Sequence, residues 1–402
     1  RLVGRTALDE RDRFPGHAIE NVLRVEILGP RACPDEMREG ERCLPVGHRR
    51  SGPVVPVEGV RDHVERSGDD ERLVEADVVG PVSQRRVEVG LAALVRAGEV
   101  TPDELLDATL ARTERLDGTL NAIITECVER ARTHAARVDP STPFAGVPTF
   151  LKDLVDLEGT RRTDGSASML QNVSAASPAW VTAAEVAGLV VAGKTNTPEF
   201  GLGSHSYNPV HGTTLNPWEK TRSAGGSSGG AGAALAARLV PLADGSDMMG
   251  SLRNPAGWNN VYGMRPTWGR VPSDDGGDLF LHQLSTLGPM ARSPRDLAAL
   301  LDVMSGADPR QPLTRSGPDT APDIDAGLPA QRVGWLGDWG GAFPCEPGII
   351  NLSEAALNRL AGLGHEVTPI AAPFDADAMW ESWITLRSFA VAASLGSIYD
   401  DP

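Results

Sequence analysis

At 402 residues with 41% hydrophobic content, the chain can bury a sizeable core as one large domain or two. Its formal net charge of −16 argues against a nucleic-acid partner, whose affinity is drawn from Lys and Arg neutralising phosphates, and no apolar run reaches the roughly 18 residues of a membrane span. Cys33, Cys43, Cys127 and Cys345 are scattered without a CxxC pair, and no His cluster has metal spacing, so a soluble cytoplasmic protein with no disulfide framework and no metal is expected.

Residues 1–85 hold neither a helical nor a strand period and read as a poorly ordered extension, while 86–402 read as the main domain. The chain opens on Arg1 rather than Met, as expected of a fragment or of a misplaced start. Thr101-Pro102-Asp103-Glu104 signals a helix start, with a Thr cap, Pro at the first helical position and Glu three residues after the cap. Leu105, Leu106, Leu110 and Leu116 follow at helical spacing, and Asp117-Gly118 ends the run. A second helix is expected over 121–137, carrying Ile123, Ile124, Val128 and Cys127, the last as a core residue rather than a nucleophile. Strands are expected at 150–152, at 187–192 and, after an alanine-rich helix over 231–239, at 240–242. A helix capped by Ser293 runs to about Met304, and a long loop covers 308–329. A strand (332–336), a helix (354–363) and a strand (366–370) follow. Strands alternating with helices predict an α/β fold around a mixed or mainly parallel sheet.

Two motifs mislead. Gly188 to Thr195 matches the phosphate-loop pattern, yet its inner residues Leu189, Val190, Val191 and Ala192 belong in a strand and leave Lys194 without a cradle of amides. Gly225-Gly226-Ser227-Ser228-Gly229 fits the nucleophile elbow of an α/β-hydrolase esterase, but the polar stretch 216–223 cannot be the buried strand that an elbow needs. Its histidine would be His282, which lacks an obvious Asp partner, or His365, read as a surface residue. The esterase stays as a lesser alternative.

The glycine-serine run 225–230, the run 244–256 containing Ser246, Asp247, Met248, Met249, Gly250, Ser251 and Arg253, the pair Lys152-Asp153 and the stretch 193–199 together resemble the amidase signature family. The likeness extends from about residue 86 to near 400. It implies one α/β/α domain, a mixed sheet sandwiched by helices, that hydrolyses carboxamides through an acyl-enzyme without a cofactor. The resemblance makes Lys152 the base, Ser227 a relay in a cis peptide with Gly226, and Ser251 the nucleophile. Lysine is a base only when neutral, and burial among Phe150, Leu151 and Leu154 would favour that form. The backbone amides of Met248, Met249 and Gly250, with Ser251, are implied as the oxyanion hole. Met249 stands where the family more usually has glycine, so a narrower acyl pocket and a lost glycine-only backbone angle are expected.

Ser228, Ser246, Asp247 and Arg253 read as supporting residues, Asp153 and Asp247 as acceptors for amides or for Arg253, and His205, Tyr207 and His211 as solvated loop residues. Met248, Met249 and Trp258 suggest aryl or alkyl amides. The expected partner is a small-molecule amide, and a homodimer is compatible. The resemblance leaves two alternatives open: the glutaminase subunit of a tRNA-dependent amidotransferase, and an inactive truncated scaffold. Family members continue beyond the position matching Pro402, so poor solubility is expected of a sheet left incomplete at its C-terminal end.

Overall fold

The Thr101 cap forms as its sequence predicts. In the computed structural model, which describes residues 88–273, 280, 283–317 and 319–399, the Thr101 hydroxyl accepts from the Glu104 amide at 3.2 Å and Glu104 Oε2 accepts from the Thr101 amide at 2.7 Å. This box starts α2 (Pro102–Leu120), after a short α1 (Glu88–Arg96). The extension assigned to residues 1–85 lies outside the described residues.

α2 does not stop at Asp117-Gly118. It runs on to Leu120, and Asp117 bends back to accept the amides of Ala122 and Ile123 at 2.8 and 3.0 Å. The helix expected over 121–137 is instead a strand and a shorter helix, β1 (Ile123–Glu126) and α3 (Val128–Ala135). β-Branched Ile123 and Ile124 suit a strand, and an open sheet edge was there to receive them: β1 pairs antiparallel with β3 (Val190–Thr195). Cys127 packs, half-buried, against the core, as its sequence context suggested.

β3 begins later than the expected 187–192, because those first residues close α4 (Ala179–Val186), with Gly188 at φ +92°. It then continues through Lys194 and lies parallel to β2 (Pro148–Lys152), and both strands are buried at every position. β4 (Tyr207–Asn208) and β5 (Gly212–Thr213) form a small hairpin apart from the main sheet. After α5 (Gly229–Ala236), β6 (Leu242–Asp247) lies parallel to β2 and extends five residues beyond the apolar stretch that announced it, because its neighbours supply the ladder that Asp and Gly do not favour on their own. α6 (Arg253–Asn259), β7 (Tyr262–Gly263) and β8 (Thr286–Ala291) complete a mixed sheet of order β1-β3-β2-β6-β8-β7.

Alternation along the strands divides the core between two faces. Leu151, Val191 and Leu242 pack with Trp180 of α4 and with Leu300 and Met304 of α7 (Pro294–Met304), whereas Phe150, Val190 and Ala243 pack with Leu106 of α2 and Leu235 of α5. The result is the expected α/β/α sandwich. The 308–329 loop holds only one short 3₁₀ turn, Ala321–Asp323, among its described residues. Beyond it, β9 (Arg332–Trp335) and β10 (Glu366–Pro369) pair in parallel around α8 (Ile349–Gly362), which starts five residues before the expected 354, and α9 (Ala376–Tyr399) follows. Among the described residues no helix is long and apolar enough to cross a membrane.

Candidate active site

Parallel packing of β2 beside β6 brings Lys152, at the end of β2, next to the Asp244–Asp247 stretch and the start of α5. Lys152 is fully buried, and its Nζ donates to the hydroxyls of Ser227 at 2.7 Å, Ser228 at 3.0 Å and Ser246 at 3.0 Å. No carboxylate contacts Nζ among the described residues. Burial therefore dominates its ionisation and lowers its pKa from 10.5 to about 7, against the opposing pull of Asp244 and Asp247. Three contacts suit both protonation states: an ammonium donates to all three hydroxyls, whereas a neutral amine donates to two and accepts from the third. Ser228 already directs its hydroxyl toward the Ser246 carbonyl at 3.4 Å, while the Ser227 hydroxyl has, among the described residues, no bond but that to Lys152. Ser227 is thus free to give its hydrogen to a neutral Lys152.

The Gly226–Ser227 peptide is cis, as the resemblance implied. Gly226 is demanded by space: a Cβ there would lie 2.6 Å from the His205 amide nitrogen and 2.8 Å from the Ser204 carbonyl carbon. Gly226→Ala is expected to push Ser227 off Lys152 and cut kcat roughly 100-fold, a loss read by steady-state kinetics on folded protein. Ser206, which sequence reasoning passed over, fixes the segment from behind by donating to the Ser227 carbonyl at 3.2 Å and accepting the Gly229 amide at 3.0 Å.

Ser251 sits on the adjoining turn, where its carbonyl accepts the Ser228 amide at 3.2 Å. Its half-buried hydroxyl makes no hydrogen bond to Ser227 or to any other described residue. Asp247 shapes this turn. It accepts the amides of Gly250 at 2.7 Å and Leu252 at 3.3 Å and both forks of Arg253 at 2.9 and 3.0 Å, with Arg265 at 3.5 Å. Burial would raise its carboxyl, but Arg253 and these amides outweigh burial and hold it below the usual range. The Gly250 amide is therefore turned inward to Asp247, contrary to its expected place facing an oxyanion. The amides of Met248, Met249 and Ser251 carry no such bond among the described residues.

Met249 adopts no glycine-only backbone angle, in line with the loss of that angle expected there. Met249 is not among the residues with positive φ, and the left-handed setting falls on Gly250 (φ +123°), where a Cβ would meet the Asn254 side chain at 2.8 Å. The Met249 side chain is 54% exposed. Trp258, 50% exposed, packs its ring 5.4 Å from that of His205. His205 is an exposed loop residue as expected, Tyr207 is exposed but lies in β4 rather than a loop, and His211 is half-buried, with Nε2 3.0 Å from the Thr163 hydroxyl. Thr163 gives both its amide, at 3.1 Å, and its hydroxyl to Asp153, so Asp153 is the backbone acceptor foreseen.

Neither misleading motif has the surroundings that its spelling suggests. Lys194 is buried within β3 and donates to the Val155 carbonyl, and no turn of amides surrounds it. No strand leads into Ser227, and His365 lies beside β10, accepting the Gln331 amide at 3.0 Å, while His282 is outside the described residues. A groove of about 760 Å³, lined by Arg130, His134, Glu185 and Gly188 among others, lies toward the start of β3, the opposite end of the sheet from Lys152. Among the described residues no group of His, Cys, Asp and Glu side chains could hold a metal ion. Asp244 was not foreseen as part of the site: fully buried on β6, it accepts the Lys152 amide at 2.8 Å.

Known proteins carry the same arrangement of elements. The family described as Amidase matches residues 104–400. A glutamyl-tRNA(Gln) amidotransferase component from Deinococcus deserti is 44% identical over 61% of this chain and 50% of its own length. An indoleacetamide hydrolase of Bradyrhizobium diazoefficiens is 33% identical over 76% of this chain and 59% of its own. The crystal structure of a bacterial aryl acylamidase superposes with a TM-score of 0.74 at 29% identity, covering 79% of this chain and 67% of that one. The chain spans about half to three-fifths of the length of the curated relatives it matches. The fold is that of the amidase signature enzymes, and the chain belongs to the amidase signature family.

Proposed function

We propose that this protein is an amidase that cleaves a carboxamide C–N bond through an acyl-enzyme on Ser251. The observation that carries the reading is a fully buried lysine whose only side-chain partners among the described residues are serine hydroxyls, Ser227 foremost at 2.7 Å. Neutral Lys152 accepts the Ser227 proton, Ser227 accepts that of Ser251, and Ser251 Oγ attacks the carbonyl carbon. The step requires a Ser251 rotamer that brings its hydroxyl within reach of Ser227. The amides of Met248, Met249 and Ser251 supply donors to the tetrahedral oxyanion, and Asp247 with Arg253 holds their turn. As the C–N bond breaks, the protons return through Ser227 to the leaving nitrogen, and water then hydrolyses the ester. Ser228 and Ser246 hold Nζ in line without entering the reaction.

The substrate class we infer is aryl or alkyl amides, from the exposed Trp258 beside Gly225 and the exposed Met249 two residues before Ser251. Assay of the isolated chain against anilides, aliphatic primary amides and glutamine tests this, with turnover of the first two expected. Met249→Gly should shift kcat/KM toward bulkier acyl groups by roughly 10-fold, and unchanged ratios would remove Met249 from the acyl pocket. A second reading, the glutaminase component of a tRNA-dependent amidotransferase, is favoured by the 44% identity to a protein of that kind. Glutamine hydrolysis that appears only with partner chains added, with simple amides untouched, would select it.

A further inference from the structure

Asp244 is a buried carboxylate that the proposed reaction leaves unused. Its Oδ1 accepts the Lys152 amide at 2.8 Å, and its Oδ2 is buried with no hydrogen-bond partner among the described residues. The other acids nearby have side-chain partners, although Asp153 too keeps one buried oxygen, Oδ1, without a hydrogen bond among the described residues. Asp247 is held by Arg253 and Arg265, and Asp153 by Thr163. Among the described residues, the charged groups that act on Lys152 and Asp244 come from the strands: Lys152 from β2, Lys194 from β3, and Asp244 and Asp247 from β6. α5 and β8, packed on either side, bring no titratable side chain.

We propose that Asp244 is a positioning residue that anchors the Lys152 backbone and, by its own charge, sets the lower pH limit of activity. The inference rests on Lys152 being the base. An ionised Asp244 on the adjoining strand favours the Lys152 ammonium, so the base is lost at a higher pH than burial alone would dictate. The two groups titrate as a pair: burial raises the Asp244 carboxyl to about 6, while Lys152 loses its proton near 7. The proton that Lys152 must shed for catalysis is thus retained through a carboxylate that never touches substrate.

Asp244→Asn keeps an oxygen for the Lys152 amide and removes only the charge. The acid limb of kcat/KM on 4-nitroacetanilide should move to lower pH by roughly one unit, with activity above the limb retained. The chain has three lysines, Lys152, Lys194 and Lys220, so 13Cε-lysine labelling yields a spectrum in which Lys152 is assigned by loss of its signal in Lys152→Met. Its titration should move down with the limb, which a purely structural role for Asp244 would not cause. If Asn at 244 does not fold, Asp244→Thr offers a β-branched residue with a hydroxyl acceptor. Folded variants whose limb and Lys152 titration both stay in place overturn the role of Asp244 and leave the base assignment standing. Full activity in Lys152→Met would overturn that assignment instead, and this inference with it.

Discussion

On the proposed mechanism, Ser251→Ala is expected to leave a folded chain whose kcat/KM toward amides is lower by about 10⁴-fold or more, because it removes the proposed nucleophile. Ser227→Ala has a comparable effect, since it removes the hydroxyl whose hydrogen is free to pass to Lys152. Ser228→Ala costs less. Its hydroxyl is occupied by Ser246, and its loss leaves Nζ two partners. Initial rates on matched, folded samples check the order, and a Ser251→Ala chain at full activity would end the nucleophile assignment.

The second large effect concerns Lys152, and it couples activity to stability. The folded site sheds its proton near pH 7 and the unfolded chain near 10.5, with burial as the chief cause. Between those values the unfolded chain holds a proton that the folded chain has lost, so stability from this group rises with pH from 7 toward 10.5. Its full cost is present below 7. Activity should therefore climb along an acid limb near pH 7, as the base becomes neutral. Lys152→Met is expected to abolish hydrolysis and to raise the melting temperature at pH 6, since the cost of burying an ammonium disappears. Thermal melts from pH 6 to 9 check this: the gap between variant and parent should narrow as pH rises, and a constant gap would show that Lys152 does not titrate there.

Much of this site could be read from sequence because it is local. Lys152 ends a five-residue strand carrying Phe150 and Leu151, Ser227 sits in a glycine run where backbones crowd, and Ser251 follows Gly250 at a sharp turn, while the roles of the three came from the resemblance to the family. Tertiary partners hid the rest. The pairing of β1 with β3 overrode the helical spacing of residues 121–137, and β6 carries Asp244, Gly245 and Asp247 through the sheet interior although none favours a strand. Asp244 was legible only as one more acid in a polar stretch. That it faces the Lys152 amide depends on which strand lies beside β2, which no local pattern specifies. The inward turn of the Gly250 amide likewise follows from the Asp247 carboxylate, and the motif spelling alone leaves its direction open.

Reaction with a fluorophosphonate probe, followed by mass-spectrometric mapping of the modified residue across pH 5 to 9, bears most directly on the proposed chemistry. The expected result is a single adduct on Ser251 that forms faster as pH passes about 7 and fails to form in Lys152→Met. An adduct on Ser227, or labelling of Ser251 that is indifferent to Lys152, would contradict it.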